Sequence, residues 1–266
     1  MSDSARTERA RELAESVIDR TVTGQVRSRY VDLVETAILL TTDDLGDLDF
    51  KIAGSALREM REAFAMFKPY AGLRKVTIFG SARTKAHDPV YEQTVSLARS
   101  LATKGWMVVT GAGPGIMEAG MVGAGREMSI GVSIRLPFET GANPIIADDE
   151  KYVSMRYFFT RKLMLVKESH AFVALPGGFG TLDETFELLT LLQTGKSVPV
   201  PVVLMNPLGT PYWEHLDGFF RDVLLPTGMV SKDDFSLYML ANHESDRKST
   251  RLNSSHMSES RMPSSA

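Results

Sequence analysis

"AFVALPGGFGTLDETFELL", Ala171 to Leu189, runs from an apolar stretch through a proline and three glycines into a helical pattern opened by two acids. A short, almost continuous apolar run that ends in a permissive turn and continues as a helix is one unit of a parallel α/β sheet. Its strand is buried on both faces, its turn lies at the carboxyl edge, and its helix returns over the sheet. The same texture appears from Lys75 onward, where "KVTIF", "WMVVT", "IGVSI" and "PVVLM" alternate with helical segments. The expected fold class is therefore α/β, a Rossmann-like parallel sheet with helices on both faces. The glycine turns of such a sheet line the edge where open α/β sheets bind ligands.

Outward from this core the texture changes. Residues 1–72 read as a helical extension, because apolar positions recur at helical spacing with few Gly or Pro interruptions. In "KIAGSALREMREAFAMF", Leu57, Met60, Phe64 and Phe67 fall on one face at i, i+3, i+7 and i+10, which predicts an amphipathic helix in need of a partner surface. That stripe is expected to support a homodimer or larger homo-oligomer. Residues 73–245 form the Rossmann-like domain, with "FSLYMLANH" as its last strand. The Ser-rich segment 246–266 shows no periodic apolar pattern and reads as a disordered or cloning-derived tail.

With 266 residues, 43% hydrophobic content and a net charge of −3, the chain is long enough to bury a core and lacks the basic excess of a dedicated nucleic-acid binder. The absence of cysteine removes disulfides, thiolate metal sites and cysteine nucleophiles, and fits a reducing compartment. The charged N-terminus, "MSDSARTERARELAESVIDR", is unlike a signal peptide, and no apolar run reaches the ~18 residues of a membrane span. A cytoplasmic protein with no membrane or nucleic-acid partner is expected. The five His show no metal-ligand spacing, so no metal is expected, and no cofactor is expected either.

Three strand ends carry turn chemistry: "FGSAR" with Gly80 and Ser81, "TGAGPGIMEAG" with Gly111, Gly113 and Gly115, and "PGGFGT" with Gly177, Gly178, Gly180 and Thr181. A helix following each would aim unpaired N–H groups and the positive end of its dipole at whatever sits above the sheet, which suits a phosphate. Pro114 is expected in the first turn of the second helix. "TGKS", Thr194 to Ser197, imitates the end of a phosphate-binding loop, but Thr190 stands where the first Gly should be. It reads instead as a helix C-cap with Gly195.

Two readings compete for Glu184. Thr181 and Glu184 form T-x-x-E, the capping-box pattern with Thr181 as N-cap, which needs no chemistry. The glycines before them go beyond what a cap needs. If the turn holds a phosphate, Glu184, one turn into the helix, lies at the distance of the sugar of a nucleoside monophosphate. The preceding segment, "SMRYFFTRKLMLVKES", reads as a helix carrying Arg156, Arg161 and Lys162. Adjacent helical residues diverge by about 100°, so Arg161 and Lys162 do not both face one ligand. A solvated basic face is the competing account of these three cations.

"PGGFGTLDE", Pro176 to Glu184, resembles the P-G-G-x-G-T-x-x-E motif of the LONELY GUY (LOG) family, and "TRK", Thr160 to Lys162, resembles its upstream R-K element. "GAGPGIMEA" is similar to the family's other glycine turn, with Ala112 where many relatives have Gly, and the likeness runs from about Lys75 to about Met205. The resemblance implies a Rossmann-like phosphoribohydrolase that cleaves cytokinin riboside 5′-monophosphates or ordinary nucleoside 5′-monophosphates such as AMP to free base and ribose 5-phosphate. It implies Arg161 and Glu184 as the catalytic pair, with Met155 and Lys162 joining the glycine turns in nucleotide binding. It also implies sites completed by a second subunit. The helical extension resembles the longer bacterial members. An older family label, lysine decarboxylase, would demand a Schiff-base lysine and pyridoxal phosphate, for which the sequence offers no context. The alternative function is a nucleotide or cofactor carrier on the same fold, which would need the glycine turns but not Arg161 with Glu184.

Overall fold

The computed structural model describes residues 3–137, 141–207 and 209–241. The chain divides into two compact units, Met1–Arg58 and the remainder from Glu59. In the first, α1 (Asp3–Val17) and α2 (Gly24–Thr42) pack together, with Ala10, Ala14 and Val31 buried. Arg6 links them by bonding Asp43 at 3.0 Å and the Thr42 carbonyl at 3.1 Å. Helix α3 (Asp47–Phe67) contains the boundary between the units.

The second unit is a parallel sheet. In chain order its elements are β1 (Lys75–Phe79), α4 (Pro89–Thr103), β2 (Met107–Thr110), α5 (Ile116–Ala124), β3 (Ser129–Ile134), β4 (Tyr152–Met155), α6 (Phe158–Glu168), β5 (Ala171–Ala174), α7 (Phe179–Gln193), β6 (Val202–Met205), α8 (Tyr212–Phe219) and β7 (Met239–Ala241). The strands lie in the order β4-β3-β2-β1-β5-β6-β7, every neighbouring pair parallel. Side chains alternate across the pleat into two cores. Met107, Val109, Phe172 and Ala174 join one cluster with Phe67, Met164, Leu188 and Trp213. Val108, Ala171 and Val173 join the other with Leu97, Leu101 and Ile116. Strands buried on both faces are what the continuous apolar runs predict. Among the described residues no helix is long and apolar enough to cross a membrane.

Three expectations change. Tyr152–Met155 forms β4 rather than the start of a helix, pairing with Gly131–Ile134. At this edge Val153 and Met155 are buried while Tyr152 and Ser154 are half-buried, the period-two pattern of a strand with one covered face. Helix α6 accordingly begins only at Phe158, and Arg156 lies in the turn before it. On α3 the buried line runs through Ala56, Glu59, Ala63 and Phe67, with Met60 against the core, while Leu57 and Phe64 are 43% and 44% exposed. Within the second unit, Ala63 and Phe67 rather than Phe64 mark the face packed on the core. Pro114 precedes α5, whose N-cap is Gly115. The segment expected to be a tail, 246–266, lies outside the described residues.

Helix α7 stops as expected from "TGKS". Gly195 adopts φ +66°, its N–H bonds the Leu192 carbonyl at 3.2 Å, and Lys196 N–H bonds Leu191 O at 2.9 Å, the pairing of a Schellman motif. A β-carbon at Gly195 would meet nothing within 4 Å, so Gly195→Ala isolates the backbone term. The substitution should cost about 1–2 kcal/mol, the left-handed penalty for an L side chain. Thermal unfolding should fall by a few degrees (~2–6 °C) with unchanged fold by circular dichroism.

Candidate active site

The chain leaves β1 for β2 on one side and later returns to place β5 on the other, so the strand order reverses between β1 and β5. A crevice opens outside the carboxyl ends of the strands at such a point. The turns after β1, β2 and β5 meet there and are tied together by backbone bonds. Ser81 N–H donates to the Pro176 carbonyl at 3.1 Å, and Ile116 N–H donates to the Ser81 carbonyl at 3.0 Å. Gly115 permits the second bond: its φ is +69°, and a β-carbon there would collide with the Ser81 carbonyl oxygen.

The other glycines divide into two kinds. Side chains at Gly80, Gly111 and Gly177 would collide with Ile116, the Arg161 guanidinium and the Thr181 hydroxyl respectively, so these positions are closed by packing. Gly113 is similarly closed by Met117. Around Gly178 and Gly180 a β-carbon would meet nothing within 4 Å, and Phe179 between them is 92% exposed. Here α7 begins with Gly178 as its N-cap and no side-chain cap. The first N–H groups of α7 thus emerge at an open edge of the crevice, an arrangement suited to an anion.

The capping-box reading of Glu184 does not hold. Thr181 is the third residue of α7, not its N-cap, and Glu184 is a full turn deeper. Phe179 and Gly180 form the first turn of the helix and Gly178, with extended backbone, is its N-cap, which moves the cap three positions upstream of Thr181. Glu184 instead pairs with Nη1 of Arg161 on α6, and the side chains of both are close to nine-tenths covered. Arg161 Nε also donates to the Val132 carbonyl of β3 at 2.9 Å, and its Nη2 fills the space left open by Gly111. The cation is therefore fixed from three sides. Burial pushes the Glu184 carboxyl above the ordinary carboxylate range, while the Arg161 charge pulls it back down. The outcome is a paired carboxylate that is a stronger base than a surface glutamate.

The other cations go elsewhere. Lys162 turns toward the outer side of α7 and bonds Asp183 at 3.2 Å and Glu187 at 2.5 Å, partners that push its ammonium pKa up. Arg156 is exposed. Met155 is fully buried in the apolar core beneath the sheet edge. Thr181 is 5% exposed, its hydroxyl packed on Gly177, and Ser81 Oγ accepts the Arg83 N–H at 3.1 Å. The structure thus brings together the glycine turns, Ser81, Thr181, Arg161 and Glu184, while Met155 lies in the core, Arg156 is exposed, and Lys162, though its charge reaches Glu184, is bonded to Asp183 and Glu187 instead.

Two supports of the crevice carry no local sequence signal. The buried Asn143 donates through Nδ2 to the Gly113 carbonyl at 3.1 Å, and its N–H bonds the Ala112 carbonyl at 2.8 Å. These bonds hold Ala112 at φ +58°, a conformation unusual for a residue with a β-carbon. Tyr212 Oη on α8 donates to the Gly177 carbonyl at 2.7 Å. Each reaches its turn from 30 or more residues away in the chain.

Residues 110–248, just over half of the chain, match the family described as "Possible lysine decarboxylase". The chain is 29% identical over 154 residues to the cytokinin riboside 5′-monophosphate phosphoribohydrolase of Mycobacterium tuberculosis, spanning 56% of this chain and 79% of that protein. It is 29% identical over 173 residues to the cytokinin riboside 5′-monophosphate phosphoribohydrolase LOG of Oryza sativa subsp. japonica, spanning 60% and 65%. Among solved structures, the molybdenum cofactor carrier protein of Chlamydomonas reinhardtii aligns with a TM-score of 0.46 at 20% identity, over 68% of this chain and 98% of that one. With the glycine turns, the R-K element and the matched segment in agreement, the chain belongs to this family, the LOG family of proteins labelled possible lysine decarboxylases.

Proposed function

We propose that this protein hydrolyses the N-glycosidic bond of nucleoside 5′-monophosphates, cytokinin riboside monophosphate or AMP, to free base and ribose 5-phosphate. The observation that carries this reading is the Arg161–Glu184 pair, buried beside glycine turns that open on a helix N-terminus. A carrier has use for the anion-binding turns but none for a desolvated carboxylate fixed one turn from them.

The phosphate is anchored by the N–H groups of Gly178 to Thr181 together with Ser81, which leaves the ribose above Glu184. As the bond to the base stretches, C1′ gains oxocarbenium character, and an ionised carboxylate stabilises it more strongly in the transition state than in the ground state. Glu184 also takes a proton from the attacking water, for which its raised basicity suits it, and the departing base gains its proton from solvent as Glu184 returns its own, so that free base and ribose 5-phosphate leave with the carboxylate restored. Arg161 keeps the carboxylate charged and aimed. A pyridoxal-dependent decarboxylation fits less well, because Lys162, the lysine beside Arg161, is committed to Asp183 and Glu187. The reading includes a cytoplasmic homodimer or larger assembly. Phe158, Phe159 and Leu163 leave an apolar face on α6 at 45–53% exposure, and light scattering of the active protein tests for the second copy.

Incubation with a panel of nucleoside monophosphates should release free base, and adenosine without its phosphate should bind far more weakly than AMP. Tight AMP binding with no base released would identify a carrier instead. Glu184→Gln should lower kcat by about 10²-fold or more with AMP affinity little changed. Gly111→Ala drives a methyl group into the Arg161 guanidinium and should lower kcat by at least about tenfold while the protein stays folded. In the pH profile of kcat/KM, activity needs ionised Glu184 and is lost as pH falls through its pKa. Because burial raises that pKa, the acidic limb should lie above the range of an exposed glutamate and vanish in Glu184→Gln.

A further inference from the structure

Glu59, on α3, is a buried carboxylate, only 5% exposed, and it lies outside the crevice. Its Oε1 accepts the backbone N–H of Arg156 at 2.6 Å, and its Oε2 accepts from Thr160 Oγ1 at 2.7 Å. One carboxylate thus spans the whole turn from the end of β4 into the first turn of α6. That helix has no cap of its own, since Tyr157 at its N-cap makes no side-chain bond. A charge buried at this depth is tolerated only when its lone pairs are satisfied, and a carboxylate at a helix start is further favoured by the dipole.

The next residue is Arg161. Its N–H bonds the Tyr157 carbonyl at 3.2 Å, and the same carbonyl lies 2.9 Å from Thr160 Oγ1. The clamp and the backbone of Arg161 therefore share one oxygen. We propose that Glu59 is a positioning residue for the reaction: by clamping Arg156 to Thr160 it fixes where Arg161 leaves α6, and hence how Arg161 meets Glu184. This inference rests on the hydrolase reading for its effect on rate, but not for its effect on Arg161. It also gives the helix before the sheet a role in the chemistry, through a contact no sequence pattern announces.

The test uses the full chain with Glu59→Leu, which removes both acceptors, and Thr160→Val, which removes the donor to Oε2. Three readouts are followed: kcat and KM for AMP, the acidic limb of kcat/KM, and the NMR resonance of the Arg161 Nε–H, assigned by its loss in Arg161→Lys. In each folded variant kcat should fall about tenfold with KM within about threefold, as for a misplaced catalytic group. The charges acting on Glu184 are those of Arg161 and, from farther off, Lys162 on α6 and Asp183 beside it on α7. A loosened Arg161 leaves burial less opposed, so the limb should move to higher pH, a shift that simple loss of folded protein would not produce. The Nε–H resonance should shift. Folded variants with wild-type kcat, limb and resonance would overturn the proposal. If Glu59→Leu does not fold, Thr160→Val decides on the same readouts. If wild-type protein releases no base, a moved resonance sustains the positioning role while the hydrolase reading falls, and an unmoved resonance overturns the positioning role.

Discussion

Burying Arg161 and Glu184 together is the constraint on which the site depends. Removing two charges from water costs several kcal/mol for each, and their attraction offsets this only when geometry is good and the remaining polar atoms are bonded. The fold answers with parts from four places: the Val132 carbonyl of β3 for Nε, the missing side chain at Gly111 for Nη2, α6 to carry the cation and α7 to carry the anion. Loss of either partner would leave the other as an uncompensated buried charge. The pair is thus a poor device for stability and a good one for chemistry.

The sheet supplies the frame. Reversal of strand order between β1 and β5 brings turns from distant parts of the chain to one edge, and Ser81 bonds the turns on both sides of it. Because the turns are bonded to one another rather than to solvent, the N–H groups at the start of α7 are held in place before any anion arrives. Such prior order is what electrostatic catalysis requires, since donors that need not reorganise lose nothing at the transition state.

Much of this was legible in the sequence, for physical reasons. Strands buried on both faces must be apolar throughout, so "KVTIF", "WMVVT", "IGVSI", "AFVAL" and "PVVLM" announce themselves. β4 does not, because "YVSM" is half-buried and runs directly into the helical pattern of α6. On α3 the expected face includes the large Phe64, whereas packing in the second unit selects Ala63 and Phe67. The T-x-x-E pattern named a cap that the preceding Gly-Phe-Gly moved upstream. The supports of the site were invisible for another reason. Asn143, Tyr212 and Glu59 act on backbone atoms 30 to 97 residues away, and backbone groups leave no residue-type signature.

The central claim is that Arg161 and Glu184 work as a unit on the glycosidic bond, and a double-mutant cycle on kcat/KM for AMP tests it most directly. If they form one device, Arg161→Ala combined with Glu184→Gln should lose no more than about threefold beyond the worse single variant, because either change already disables both. Losses that multiply, each variant lowering kcat/KM by its own full factor in the presence of the other, would contradict the account.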